Sequence, residues 1–190
     1  MRQSVFYKTV LPNIIWYLLL FIGTILLDYI LHRFQLVLLG RYLGLTGTIL
    51  IIFSFVYSLQ KRKLINIGPP KFLLQIHEIL AWIGSLMLMV HGGIHFNALL
   101  PWLAIFLLIV AVASGFVGKF LLNIAKTALA TKKQELLKTG MSAKEVEEKL
   151  YRDSIMVDLM KKWRSVHIPI TLALGLLSLL HIISILMYSA

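Results

Sequence analysis

Residues Lys71 to Phe96 read KFLLQIHEILAWIGSLMLMVHGGIHF, a stretch that also carries His77, His91 and His95. It is long and apolar enough to cross a bilayer. Ionisable side chains in hydrocarbon are costly, so three imidazoles in one span point to function. Fourteen residues separate His77 from His91. On an α-helix that interval returns the second ring to within about 40° of the first, about 21 Å further along the axis. The same interval separates His167 from His181 in HIPITLALGLLSLLH, near the end of the chain. Two helices with matched pairs can clamp two haems, one above the other.

Composition agrees with a membrane setting. Of the 190 residues, 59% are hydrophobic and 14% charged, and the mean hydropathy is +0.86. Soluble domains average about 45–50% apolar and about 25% charged. The fold class expected is an all-α membrane protein, a single haem-binding bundle of about five transmembrane helices. The net charge of +11 would suggest nucleic acid in a soluble protein. Here the basic residues flank apolar spans, which is the positive-inside pattern, and no nucleic-acid partner is expected. There are no cysteines. Disulfides, thiolate-held iron–sulfur clusters and covalent c-type haem are therefore ruled out, and a redox cofactor must be held non-covalently.

The spans are expected at about 11–31, 38–59, 72–96, 101–122 and 167–188. The first is full length and lacks a small-residue cleavage site, so it is expected to be a retained helix. In it, Asp28 and His32 form an i,i+4 pair at the far end, either a solvated helix end or a proton relay or quinone contact. In the second, Gly40, Gly44 and Gly47 make a small-residue face for close helix approach. Arg41 is either a snorkelling anchor or a partner for a haem propionate or Asp28. Gly68-Pro69-Pro70 breaks the chain before the third span. The fourth, with Pro101 near its start, runs on through KFLLNIAKTALATKKQELLK until Gly140 stops it. Ser142-Ala143-Lys144-Glu145 is a capping box, so a new helix should begin there. Pro169 is expected to kink or restart the fifth span.

Between about 119 and 164 lie eleven Lys/Arg and six of the eight acidic residues. This is expected to be an amphipathic helical hairpin, with a basic surplus suited to an acidic partner or anionic lipid. It and Lys61-Arg62-Lys63 should both be cytoplasmic. An integral protein of a bacterial inner membrane is expected, N-terminus cytoplasmic and C-terminus outside. The third and fifth spans then run in the same direction. His77 and His167 fall at one depth, and His91 and His181 about half a membrane further out.

Two imidazoles fill both axial positions of a haem iron, which favours electron transfer over ligand chemistry at the metal. His77, His91, His167 and His181 are the expected axial ligands of two b haems. His95, one turn past His91, is an alternate ligand or propionate partner, and the His91/His95 pair would also suit zinc or copper. Lys71, Lys119 and Arg164 are candidates for holding propionates near the inner site. Gly84, midway between His77 and His91, either leaves room for the porphyrins or serves helix packing.

These residues resemble the ferric-reductase-like transmembrane domain, the haem-bearing part of ferric reductases and NADPH oxidases. The resemblance covers roughly 71–188, with His77 and His91 in the third-span positions and His167 and His181 in the fifth-span positions. Mitochondrial-type cytochrome b has similar pairs on two helices. The resemblance implies electron transfer across the bilayer by a dihaem cytochrome. A sixth span and the flavin and nicotinamide domains are missing, and no G-x-G-x-x-G loop is present, so any reductase should be another chain. The function expected is a dihaem b-type cytochrome between a cytoplasmic-side donor, a reductase partner or quinol, and an outer-side acceptor. It would be an electron-transfer component of an oxidoreductase. Two alternatives stand beside it. One is a cytochrome b anchor of a quinone-linked oxidoreductase, with Asp28, His32 or Glu78 as proton acceptors. The other is a haem-free metal or proton transporter.

Overall fold

The structure, a computed structural model, describes residues 11–94, 98–142, 144–146, 150 and 155–188. Its helices in chain order include α1 (Leu11–Arg33), α2 (Leu39–Ser54), the short α3 (Val56–Lys61), α4 (Pro70–Ile94), α5 (Leu99–Lys138) and α6 (Ile155–Tyr188). Among the described residues, five stretches are long and apolar enough to span a membrane, with α2 and α3 counting as one. The protein is a helical membrane bundle, as the hydropathy required.

The boundaries differ from the sequence expectation in two informative places. The second span is broken at Phe55, where the amide bonds back to the Ile52 carbonyl at 3.0 Å, the tighter i→i+3 pattern. Helix α5 runs on past its membrane window at Leu121 to Lys138, as the sequence led one to expect. Forty residues of helix are about 60 Å long, twice the roughly 30 Å of hydrocarbon, so its charged end projects from the bilayer. Helix α6 begins well before His167 and contains Pro169 in its interior, so the proline does not restart it. Transmembrane helices tolerate such prolines because neighbours re-satisfy the freed carbonyl.

The projecting end of α5 stops at Gly140, whose φ of +82° is the left-handed conformation a glycine adopts without a Cβ penalty. The expected capping box follows. The Ser142 amide and hydroxyl both donate to Glu145 Oε2, at 3.0 and 2.8 Å, and the Glu145 amide returns to Ser142 Oγ at 3.4 Å. Val146 and Leu150 on the new helix are buried. The bond from the Ser142 hydroxyl, then that from its amide, holds the Glu145 carboxyl below the usual carboxylate range. A carboxylate depressed on folding stabilises above its unfolded pKa, and that contribution is lost as pH falls through the folded value. Amide protection at Val146, corrected for intrinsic exchange, should therefore drop on acidification through and below the ordinary carboxylate range. Glu145→Gln should remove that pH dependence. An unchanged pH profile in the variant would contradict the assignment.

Helix α4 is the hub. It packs along α2, touches α1 and α5, and leaves α6 to pack along α5. The α2–α4 crossing is built on Gly47 and Gly84: a Cβ on Gly84 would lie 3.0 Å from Ile51 Cγ1 and 3.1 Å from the Gly47 carbonyl. On the other side of α4, Leu20, Met89 and Leu108 form the buried core, joined by Trp82, Ile105 and Leu174. Trp82 donates its indole N–H to the Trp16 carbonyl at 3.2 Å, tying α4 to α1. Elsewhere large apolar side chains face outward, among them Ile25, Phe106 and Leu186. An apolar surface of that extent would not persist in water and suits contact with lipid.

Successive spans alternate in direction, so the end of α3, the start of α4, the charged part of α5 and the start of α6 share one face. Lys61, Lys71, Lys119 and Lys161 to Arg164 all lie there. The Lys119 ammonium meets Glu78 Oε2 of α4 at 2.6 Å, which joins two of these ends directly.

Candidate functional site: two imidazole pairs between α4 and α6

The break at Phe55 has a use. The carbonyl just before it, on Ser54, lies 2.9 Å from His77 Nδ1. At the other end of α4, His91 Nδ1 lies 2.8 Å from the Gly40 carbonyl in the first turn of α2. A carbonyl can only accept, so both rings carry their proton on Nδ1 and their lone pair on Nε2. An N–H bound to a main-chain carbonyl is the usual outer contact of a metal-ligating histidine, fixing tautomer and ring plane. The close approach of α2 makes these bonds reachable. A Cβ on Gly44 would lie 2.8 Å from the His91 ring, so that imidazole rests in a cradle only glycine leaves open.

Across from it is α6. The rings of His91 and His181 have centroids 6.5 Å apart, with planes inclined at 56°. Two imidazoles on opposite sides of one metal ion, with metal–nitrogen bonds of about 2 Å, place their centroids about 6 Å apart. The outer pair therefore has the separation of a bis-imidazole site. His77 and His167 lie within electrostatic reach of each other. Early residue faces early, and late faces late, so α4 and α6 run parallel. His167 Nδ1 is 3.2 Å from Ser114 Oγ of α5, and donating there gives it the same tautomer. Leu174, midway between His167 and His181, packs on the buried apolar core.

The other sequence candidates are distributed differently. Gly84, for which room for porphyrins was one reading, serves the crossing with α2. Lys119, a candidate propionate partner, is paired with Glu78, and this pairing also occupies the candidate proton acceptor. Lys71 and Arg41 are exposed on helix starts at opposite ends of the bundle. Arg164 is exposed on α6, within electrostatic reach of Lys61 and Tyr57. Asp28 sits at the far end of α1, its Oδ1 buried against Gly93 and 3.6 Å from His32 Nδ1. His32 takes its closer contact from the Asp28 carbonyl, at 2.9 Å. His95 lies outside the described residues. Sequence reasoning missed Ser54, Tyr57, Lys61, Ser114, Gly118 and Trp163. Ser114 and Gly118 carried a usable signal, a second small-xxx-small pattern.

Fold and site define a class, an all-α membrane bundle in which the His91 and His181 rings face each other and His77 lies within electrostatic reach of His167. Comparison with models of known families, with characterised proteins and with solved structures finds no match.

Proposed function

We propose that the chain is a dihaem b-type cytochrome that carries electrons across the membrane. The observation that supports this best is the outer pair: two rings at bis-imidazole separation, one cradled on Gly44 and bonded through Nδ1 to Gly40. The paired imidazoles suit a porphyrin. Among the described residues no three His, Cys, Asp or Glu side chains converge. A porphyrin brings four nitrogens and needs only two imidazoles from the protein. When bound, each haem supplies the one-electron couple. His77 with His167 and His91 with His181 would hold the two groups, about 21 Å apart along α4. Arg164 and Lys61 converge near the inner pair and are suited to the propionates there. The basic face takes the cytoplasmic side by the positive-inside rule, so the donor approaches His77 and His167 and the acceptor approaches His91 and His181.

One observation favours a quinol as the donor. An apolar cavity of about 280 Å³ lies between α2/α3 and α4, lined by Leu50, Phe53, Tyr57, Ile76, Leu80 and His77. His77 belongs both to this lining and to the inner pair. A lipid-soluble ring could reach the cavity from the bilayer. Proteoliposomes with trapped ferricyanide test both statements. An external reductant should bleach the ferricyanide through the wild-type protein and not through His77→Ala, and a short-chain quinol should serve if the cavity is the entry. Equal rates with and without protein would overturn the function.

A further inference from the structure

The two imidazole levels are built differently, and the inner one carries a device that axial ligation alone does not require. Trp163 precedes His167 by one turn of α6, so the two share a face. Their rings stack, with centroids 4.7 Å apart and planes within 20°. The indole N–H donates to the Ser114 carbonyl at 2.7 Å, while the hydroxyl of the same serine sits 3.2 Å from His167 Nδ1. One residue of α5 therefore holds both rings. The indole is seated against α5 at Gly118, where any Cβ would overlap its six-membered ring. Hydrogen bond, slot and stack together leave the indole one orientation, and the indole leaves the imidazole one plane. By contrast, His91 rests on main chain at Gly40 and Gly44.

We propose that Trp163, Ser114 and Gly118 form a clamp that sets the ring plane and tautomer of His167, making the inner haem electronically distinct from the outer. The proposal rests on the dihaem reading. Trp163 and Ser114 are positioning residues, acting through His167. The plane of an axial imidazole fixes how its π orbital overlaps the iron d orbitals, which the g values of low-spin ferric haem report. The Nδ1 partner sets ligand basicity, and through it the potential. Removing that partner weakens donation to the ferric iron and raises the potential.

The test is paramagnetic resonance with redox titration on the full chain in detergent, alongside nitrogen NMR of His167 in the haem-free chain. Trp163→Leu should shift or broaden the g values of one haem and leave the other unchanged. Gly118→Ala, which touches neither ring chemically but fills the slot, should reproduce that effect. Ser114→Ala should raise one midpoint potential and not the other. Trp163→Phe, keeping the stack without the N–H, should fall between wild type and Trp163→Leu. Unchanged g values in both Trp163→Leu and Gly118→Ala, with two haems bound, would overturn the clamp. In the haem-free chain His167 should be protonated on Nδ1, and lose that preference in Ser114→Ala. Protonation on Nε2 in the wild type would overturn the clamp whatever the haem content. A wild-type chain that binds no haem yet shows the Nδ1 proton would sink the dihaem reading and leave the clamp's geometry standing.

Discussion

Alanine at His91 or at His181 is expected to give a protein with one haem in place of two, and alanine at His77 or His167 should do the same. The two sets should differ in which haem survives, so their spectra and potentials should be complementary. The reasoning is geometric. His91 of α4 and His181 of α6 face each other at 6.5 Å, and His77 of α4 lies within electrostatic reach of His167 of α6. Removing either ring leaves a single axial ligand, while the other level keeps its own pair. His91→Ala also orphans the Gly40 carbonyl from its side-chain donor, a loss of about 1 kcal/mol that does not threaten the fold. His32→Ala should keep both haems, since His32 bonds within its own helix. Haem content per chain measures all five variants. Two haems surviving in His91→Ala, or none in any single variant, would contradict independent levels.

Valine at Gly44 should be as damaging to the outer haem as loss of the histidine itself. A Cβ there would lie 2.8 to 2.9 Å from three atoms of the His91 ring, and valine adds two methyl groups beyond it. The ring must turn away, giving up the Gly40 carbonyl, or α2 must move off α4. Overpacking of this kind costs about 1–3 kcal/mol. Gly175 provides the control. A Cβ on it meets nothing within 4 Å, so Gly175→Ala should bind haem as the wild type does. Glycine to alanine within a helix otherwise favours the helix by up to about 1 kcal/mol, so a loss at Gly44 cannot come from propensity. Thermal unfolding with haem quantification would measure it. Full outer-haem content in Gly44→Val would show that the cradle is not needed.

Much of this was legible in the chain. The apolar runs gave the spans, because lipid leaves backbone polar groups no other partner. Capping chemistry gave Gly140 and Ser142/Glu145, whose bonds are local. The fourteen-residue interval placed His77 beneath His91 and His167 beneath His181, because helical periodicity is fixed. What sequence could not supply was the partner of each face. Gly84 and Gly44 look alike as letters, yet one meets Gly47 of a neighbouring helix and the other cradles an imidazole. Lys119 looked available to a propionate until the register of α4 against α5 placed Glu78 beside it. The break at Phe55 has no proline or glycine to announce it. Trp163 lies outside the expected fifth span because it sits in the charged run Lys161-Lys162-Trp163-Arg164, which the apolar pattern excludes.

The most direct measurement is the reduced-minus-oxidised spectrum of the purified chain, taken with its haem-to-polypeptide ratio. Two non-covalent b haems per chain are predicted, both low-spin and unaltered by carbon monoxide because both axial positions are filled. A chain without b-type bands, or with a haem that binds carbon monoxide at once, would mean that the paired imidazoles of α4 and α6 do not share an iron.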